Sequence, residues 1–217
     1  MNSNKTVIFD LDGTLLDTLP DIAENINIML KHYGYPERSY AEMRKFIGCG
    51  ARNLVKDSIG VPLSEKELDE RLAYYNEIYT ASSSPATKLF DGVAEMLADL
   101  KNRGYKIAVL TNKPQATTDR VIKEHLSFAG FDLVVGQREG LKIKPDKEAA
   151  LYIMKTLGAS PENTYMVGDG ETDAMTAVNA GMHGVAVLWG YRDKGELEAA
   201  GAKIFVSSPK ELSAVIS

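Results

Sequence analysis

Two aspartates stand two residues apart in Phe9-Asp10-Leu11-Asp12-Gly13-Thr14. They follow a short apolar run, with a glycine to permit a tight turn and a threonine to add a hydroxyl. Carboxylates this close repel each other unless a cation or a proton comes between them. Three more polar strings have chemical potential: Thr111-Asn112-Lys113, Lys144-Pro145, and Gly168-Asp169-Gly170-Glu171-Thr172-Asp173. Each has an ordinary explanation when taken singly. Asp-Gly makes turns, a polar string starts a loop, a lone lysine is solvated (and Lys142 competes with Lys144 on spacing), and acids favour helix N-termini. Taken together they supply several carboxylates, hydroxyls and a lysine, a set suited to Mg²⁺ and a phosphoryl group. Mg²⁺ prefers a few carboxylate oxygens with water and phosphate oxygen. Hydroxyl, loop N–H and lysine groups can hold phosphoryl oxygens and offset their charge.

The elements around these strings explain how they could meet. Short β-branched runs at 6–9, 106–110, 133–135, 165–167, 185–188 and 203–206 read as buried parallel strands. Amphipathic helices are expected at 93–103 and 147–157, where Val93, Met96, Leu97 and Leu100, then Ala150, Leu151, Met154 and Leu157, fall on one face. Strand–helix–strand alternation predicts an α/β fold, a Rossmann-like parallel sheet covered on both faces. Ligands of such sheets bind at the carboxyl ends of the strands, where the polar strings lie. The alternation breaks at 18–85, which reads as helices without strands. Ile22, Ile26, Met29 and Leu30 form one stripe, 52–59 a short helix, and Ser64 with Glu67 a capping box before a longer one. The expected division is a core of 1–17 and 86–217 with a small helical domain, 18–85, inserted.

These strings, in this order, resemble the haloacid dehalogenase superfamily. Its opening motif in the phosphotransferase branch, DxDGT, is matched by Asp10-Leu11-Asp12-Gly13-Thr14, and the helical insert resembles the family's cap domain. The resemblance implies a Mg²⁺-dependent phosphatase acting through a phosphorylated aspartate. Asp10 would be the nucleophile and Asp12 the acid and then the base, with Lys144 steadying Asp10 and the transferred group. Gly13, Thr14, Thr111 and Asn112 would bind the phosphoryl group. Asp10, Asp12 (through its carbonyl), Asp169 and Asp173 would form the metal site, Asp173 as a support. Gly170 departs from the serine common in relatives but keeps the backbone N–H. The segment Phe46-Ile47-Gly48-Cys49-Gly50-Ala51-Arg52 resembles the cap loop of phosphoglycolate-phosphatase-like members, where Arg52 would pair with a substrate carboxylate.

The expected substrate is thus a small phosphorylated metabolite, first 2-phosphoglycolate. Pyrophosphate, a sugar phosphate or a sugar phosphomutase on the same scaffold are the alternatives. A phosphoaspartate signalling module fits less well, since its nucleophile would not stand on the first strand with an acid two residues later. The chain has 217 residues and a net charge of −5, so nothing suggests attraction to nucleic acid or an anionic membrane. No apolar run approaches the roughly 20 residues that span a bilayer. A single cysteine, Cys49, makes no internal disulfide, and the expected location is cytoplasmic. His32, His125 and His183 are read as structural, and Trp189 as near the site edge or in packing.

Overall fold

The computed structural model describes residues 4–216. Six parallel strands form the central sheet: β1 (Thr6–Phe9), β4 (Lys106–Pro114), β5 (Leu133–Gln137), β6 (Thr164–Gly168), β7 (His183–Val187) and β8 (Ile204–Val206). Their spatial order is β5-β4-β1-β6-β7-β8. The chain therefore builds outward from β1 in one direction through β4 and β5, then in the other through β6, β7 and β8. Open sheets bind ligands at such a reversal, beyond the carboxyl ends of the strands.

The period of two along each strand sorts the core into two layers. Val7, Phe9, Ile107 and Val109 face one layer, completed by α5 (Val93–Asn102), α6 (Gln115–His125) and α10 (Pro209–Val215). Ile8, Ala108 and Leu110 face the other, with Ala149, Ala150, Ile153 and Met154 of α7 (Glu148–Leu157) and Ala177 and Ala180 of α8 (Glu171–Ala180). A short helix, α9 (Lys194–Ala199), precedes β8. Both faces are covered, so the strands read as continuous apolar runs.

Between β1 and α5 the chain leaves the sheet. A two-residue strand β2 (Leu16–Asp17) pairs antiparallel with β3 (Lys88–Leu89), and this ribbon carries the helical insert. The insert holds α1 (Leu19–His32), α2 (Tyr40–Phe46), α3 (Ala51–Ile59) and α4 (Glu65–Ala81). It has its own apolar cluster, built on Ile22, Ile26, Met29, Met43, Val55 and Tyr75. Capping boxes start α2 at Ser39 with Glu42 and α4 at Ser64 with Glu67. No helix of the described residues is long and apolar enough to cross a membrane.

Two elements differ from the sequence expectation in a way that matters for the site. The strand expected at 106–110 runs on to Pro114, with an irregular register between Leu110 and Pro114. Thr111, Asn112 and Lys113 are therefore buried in the strand end rather than set on a loop. Helix α2 was not separately expected, because Met43 is its single buried residue and no apolar stripe marks it.

Candidate active site

Asp10 follows the last residue of β1, and its N–H is tied to the carbonyl of Val167 on β6 (2.9 Å). The central strands β4, β1 and β6 thus bring Thr111–Lys113, Asp10 and Asp169 to one edge. Asp10 Oδ1 accepts from the N–H of Leu11 (2.7 Å) and lies 2.9 Å from Lys144 Nζ. Among the described residues, Oδ2 has no donor.

Lys144 arrives on the loop after β5. Its side chain is buried between Asp10 and Asp173, with Nζ 2.6 Å from Asp173 Oδ1. Asp173 also accepts from the N–H of Gly170 through Oδ2 (2.9 Å), so both its oxygens are engaged. Asn112 fixes the lysine's backbone, accepting from Lys144 N (2.8 Å) and donating to Lys144 O (3.0 Å). This geometry separates Lys144 from Lys142, which is exposed and faces Asp146.

Asp169, at the end of β6, is held from three sides. Thr14 Oγ1 donates to its Oδ1 (2.8 Å) and Tyr191 N to its Oδ2 (2.8 Å). Gly13 and Gly190 close the third side. Gly13 has φ +82°, and a Cβ there would lie 2.2 Å from Asp169 Oδ2; a Cβ on Gly190 would lie 2.2 Å from Asp169 Cβ. Only the absence of side chains lets the two turns press on this carboxylate. Trp189 Nε1 donates to the Thr14 carbonyl (3.0 Å), placing Trp189 at the site edge.

Carboxylate oxygens of Asp10, Asp169 and Asp173 all come within 4.8 Å of one another. Burial raises the Asp10 carboxyl to about 8; Lys144 opposes this, while Asp173, Asp169 and Asp12 push the same way. Burial, then Asp173, raises Asp169 to about 6. Burial works against the Lys144 ammonium, but Asp10 and Asp173 outweigh it and hold its pKa above the usual lysine range. Three carboxylates face one ammonium, so a dication would balance the cluster. Hard oxygen donors of this kind fit Mg²⁺. Such a dication would take Asp10 and Asp169 as donors, with Asp173 beside them as a support held by Lys144 and the N–H of Gly170.

Asp12 lies outside that cluster. Both its oxygens are 2.9 Å from Lys113 Nζ, and Oδ1 also accepts from Thr18 Oγ1 (2.7 Å). Lys113 is the functional candidate that sequence reasoning passed over. It was visible in the string Thr111-Asn112-Lys113, but only the longer strand shows that its side chain turns inward.

Arg52 is not brought to the site. Its guanidinium pairs with Asp69 and Glu65 at the start of α4 and is partly exposed. The reason is helical geometry: Ala51 and Leu54 of α3 line the cavity over Asp10 and Asp12, and one residue on from Ala51 turns the side chain by about 100°. The Thr14 hydroxyl and the Asn112 amide are likewise already engaged, by Asp169 and by Lys144 and Gly48 O (3.0 Å). Thr111, at 3% exposure, lines the cavity. The histidines lie elsewhere: His32 stacks on Tyr74, His125 adjoins Glu124, and His183 contacts the Glu162 carbonyl.

The insert is fastened over this edge by two arginines of opposite origin. Arg44 of α2 donates to the carbonyls of Tyr191 (2.6 Å) and Gly190 (2.9 Å) in the core. Arg192 of the core donates to the carbonyls of Arg44 (2.6 Å), Lys45 (3.2 Å) and Ile47 (2.7 Å) in the insert, and its Nε pairs with Glu171. The clasp ends on Gly190 and Tyr191, the residues that press on Asp169.

A doubly wound sheet with a buried carboxylate–lysine cluster at its reversal point, under a helical insert, defines the architecture of a haloacid dehalogenase-like hydrolase. A family model of that description matches residues 7–187. The chain is 32% identical over 213 residues to phosphoglycolate phosphatase 1 of Pseudomonas aeruginosa, covering 96% of this chain and 78% of that protein. It is 33% identical over 217 residues to a phosphoglycolate phosphatase of Nitrosospira multiformis, covering 98% and 95%. A crystal structure from Lactobacillus delbrueckii subsp. bulgaricus, provisionally designated a phosphoglycolate phosphatase, matches with a TM-score of 0.90 at 26% identity, covering 99% of this chain and 98% of that one. The chain belongs to the haloacid dehalogenase-like hydrolase family.

Proposed function

We propose that this hydrolase cleaves a small phosphoric monoester, 2-phosphoglycolate first among them, through a phosphorylated Asp10 with Mg²⁺ as cofactor. The observation that carries the reading is Asp10 at the end of β1, oriented by Leu11 N and Lys144 beside the buried carboxylates of Asp169 and Asp173. The relatives called phosphoglycolate phosphatase, matched over nearly the whole chain, support the choice of substrate.

The Asp10 carboxylate attacks phosphorus, and the phosphoryl group passes from the ester oxygen to Asp10 as an acyl phosphate. Asp12 gives a proton to the departing oxygen, then takes one from the water that opens the acyl phosphate. To do so Asp12 has to turn away from Lys113. Lys144 keeps a positive charge beside Asp10, which reduces the repulsion between a carboxylate and an anionic ester. Bound Mg²⁺, held by Asp10, Asp169 and the Asp12 carbonyl, would neutralise the cluster and draw charge from the phosphoryl oxygens. The insert acts as a cap that excludes water while the ester is attacked, and the β2–β3 ribbon is its hinge.

The test is phosphate release from 2-phosphoglycolate, pyrophosphate and several sugar phosphates, with Mg²⁺ and with EDTA. Mg²⁺-dependent preference for 2-phosphoglycolate is the expected result. Release from none of them, with the protein folded, would overturn the reading.

A further inference from the structure

The leaving group of the ester must be received by whatever lines the cavity beyond Asp10, and that lining is uneven. On the insert side it is apolar, with Ile22, Ile47, Leu54 and the rings of Tyr75 and Tyr79. On the core side stand Asp12 and Lys113. Lys113 is the one basic residue among the described lining residues. Lys144 is taken up by Asp10 and Asp173, and Arg52 faces Asp69 and Glu65. The free space over Asp10 is small, about 40 Å³, room for about three water-sized groups, so only a short ester fits without the insert moving. Tyr79, on the same wall, is 2% exposed, and its hydroxyl has no hydrogen-bond partner among the described residues. The Lys113 ammonium sits 5.0 Å from the centre of that ring.

We infer that Lys113 is the specificity residue of this site, exchanging its partner Asp12 for a carboxylate on the leaving group of the substrate. The inference rests on the phosphatase reading above and names the substrate class it takes: short esters whose leaving alcohol bears an acid. A hydroxyl-rich leaving group set against the apolar wall would lose hydrogen bonds to water without replacement. A carboxylate meets an ammonium already desolvated and already balanced by one carboxylate, so a like-charged partner replaces Asp12 with no new unpaired charge on the lysine. The exchange also frees Asp12 to turn to the leaving oxygen. Binding of the right substrate thereby releases Asp12, which takes a proton from water and passes it to the leaving oxygen.

Two esters of nearly equal size separate the possibilities: 2-phosphoglycolate and 2-hydroxyethyl phosphate, which carries an alcohol in place of the carboxylate. The quantity read is the ratio of their kcat/KM values in the full-length protein with Mg²⁺. Lys113→Met is expected to lower that ratio by about tenfold to a hundredfold, mainly through KM for 2-phosphoglycolate, as expected for loss of a charged hydrogen bond. Lys113→Arg, which keeps the charge and guards against a fold defect in the first variant, is expected to keep the preference. Arg52→Met is expected to leave the ratio as in the parent protein. Equal losses on both esters in Lys113→Met, with the fall in kcat, would make Lys113 a positioning group for Asp12 and overturn the inference while leaving the phosphatase reading intact. A collapse of the ratio in Arg52→Met would overturn it in favour of the insert loop. A parent protein that cleaves neither ester nor any other phosphate would overturn both readings.

Discussion

At the scale of single residues, the site is an arrangement in which most polar atoms are already committed. Asp10 is an exception, with one carboxylate oxygen lacking a donor among the described residues, and the Tyr79 hydroxyl on the cavity wall is another. Asp10→Asn removes the nucleophile but keeps the shape, so phosphate release is expected to fall by at least about a thousandfold with an unchanged circular dichroism spectrum. The identity of these residues was legible because the DxDGT string is compact and each partner follows a recognisable strand. Their orientation was not. Thr14 looks like a phosphate ligand in the string but spends its hydroxyl on Asp169, and Asn112 spends its amide on Lys144 and Gly48. Arg52 is one helical residue away from the cavity-facing position. A hydroxyl or guanidinium chooses between neighbours that come from distant parts of the chain, and no local spacing encodes that choice.

At the scale of elements, two joints hold the site, one inside the core and one between the core and the insert. The first is the glycine contact around Asp169. Gly190→Ala places a methyl group where Asp169 Cβ and the Gly13 carbonyl already lie. The expected outcome is a loss of about 1–3 kcal/mol in denaturant unfolding, together with a weaker dependence of activity on Mg²⁺. The second joint is the arginine clasp. Arg192→Ala leaves the carbonyls of Arg44, Lys45 and Ile47 without their donor and frees Glu171. Faster amide exchange confined to α2 and α3 is the expected result, with a raised KM; protection equal to the parent protein would show that the clasp does not hold the insert. The sheet strands were readable from periodicity and α4 from its Ser64-x-x-Glu67 spacing, whereas α2, with the same spacing at Ser39 and Glu42, was not. The clasp was not, because its acceptors are main-chain carbonyls, which every residue carries.

At the scale of the whole molecule, the buried cluster ties stability to pH and to the cation. The Asp10 carboxyl goes from 3.8 to about 8 and the Asp169 carboxyl from 3.8 to about 6. Below pH 3.8 both forms of the chain hold these protons, and the cluster carries no penalty. As pH rises from there, the unfolded chain releases protons that the folded chain keeps, so stability falls, through about 6 for Asp169 and about 8 for Asp10. A Mg²⁺ ion held as proposed above would bind the ionised folded form and reverse the loss. The increase in Tm on adding Mg²⁺ should therefore grow between pH 5 and pH 8 in the parent protein and shrink in Asp10→Asn. A gain that is the same at both pH values would separate the cation from this cluster. The run of helices between β2 and β3 could be anticipated from where strands stop alternating with helices. The closeness of the insert to the carboxylates could not, since it depends on a two-stranded ribbon only two residues wide. Trp189 is the single tryptophan of the chain, and its indole N–H is joined through Thr14 to Asp169. Ultraviolet emission excited at the indole band thus originates from one ring, two hydrogen bonds from a proposed cation ligand and beside the ribbon that carries the insert. The protein contains its own fluorophore at its working end, and cation entry and movement of the insert can be timed by stopped flow without attaching a label.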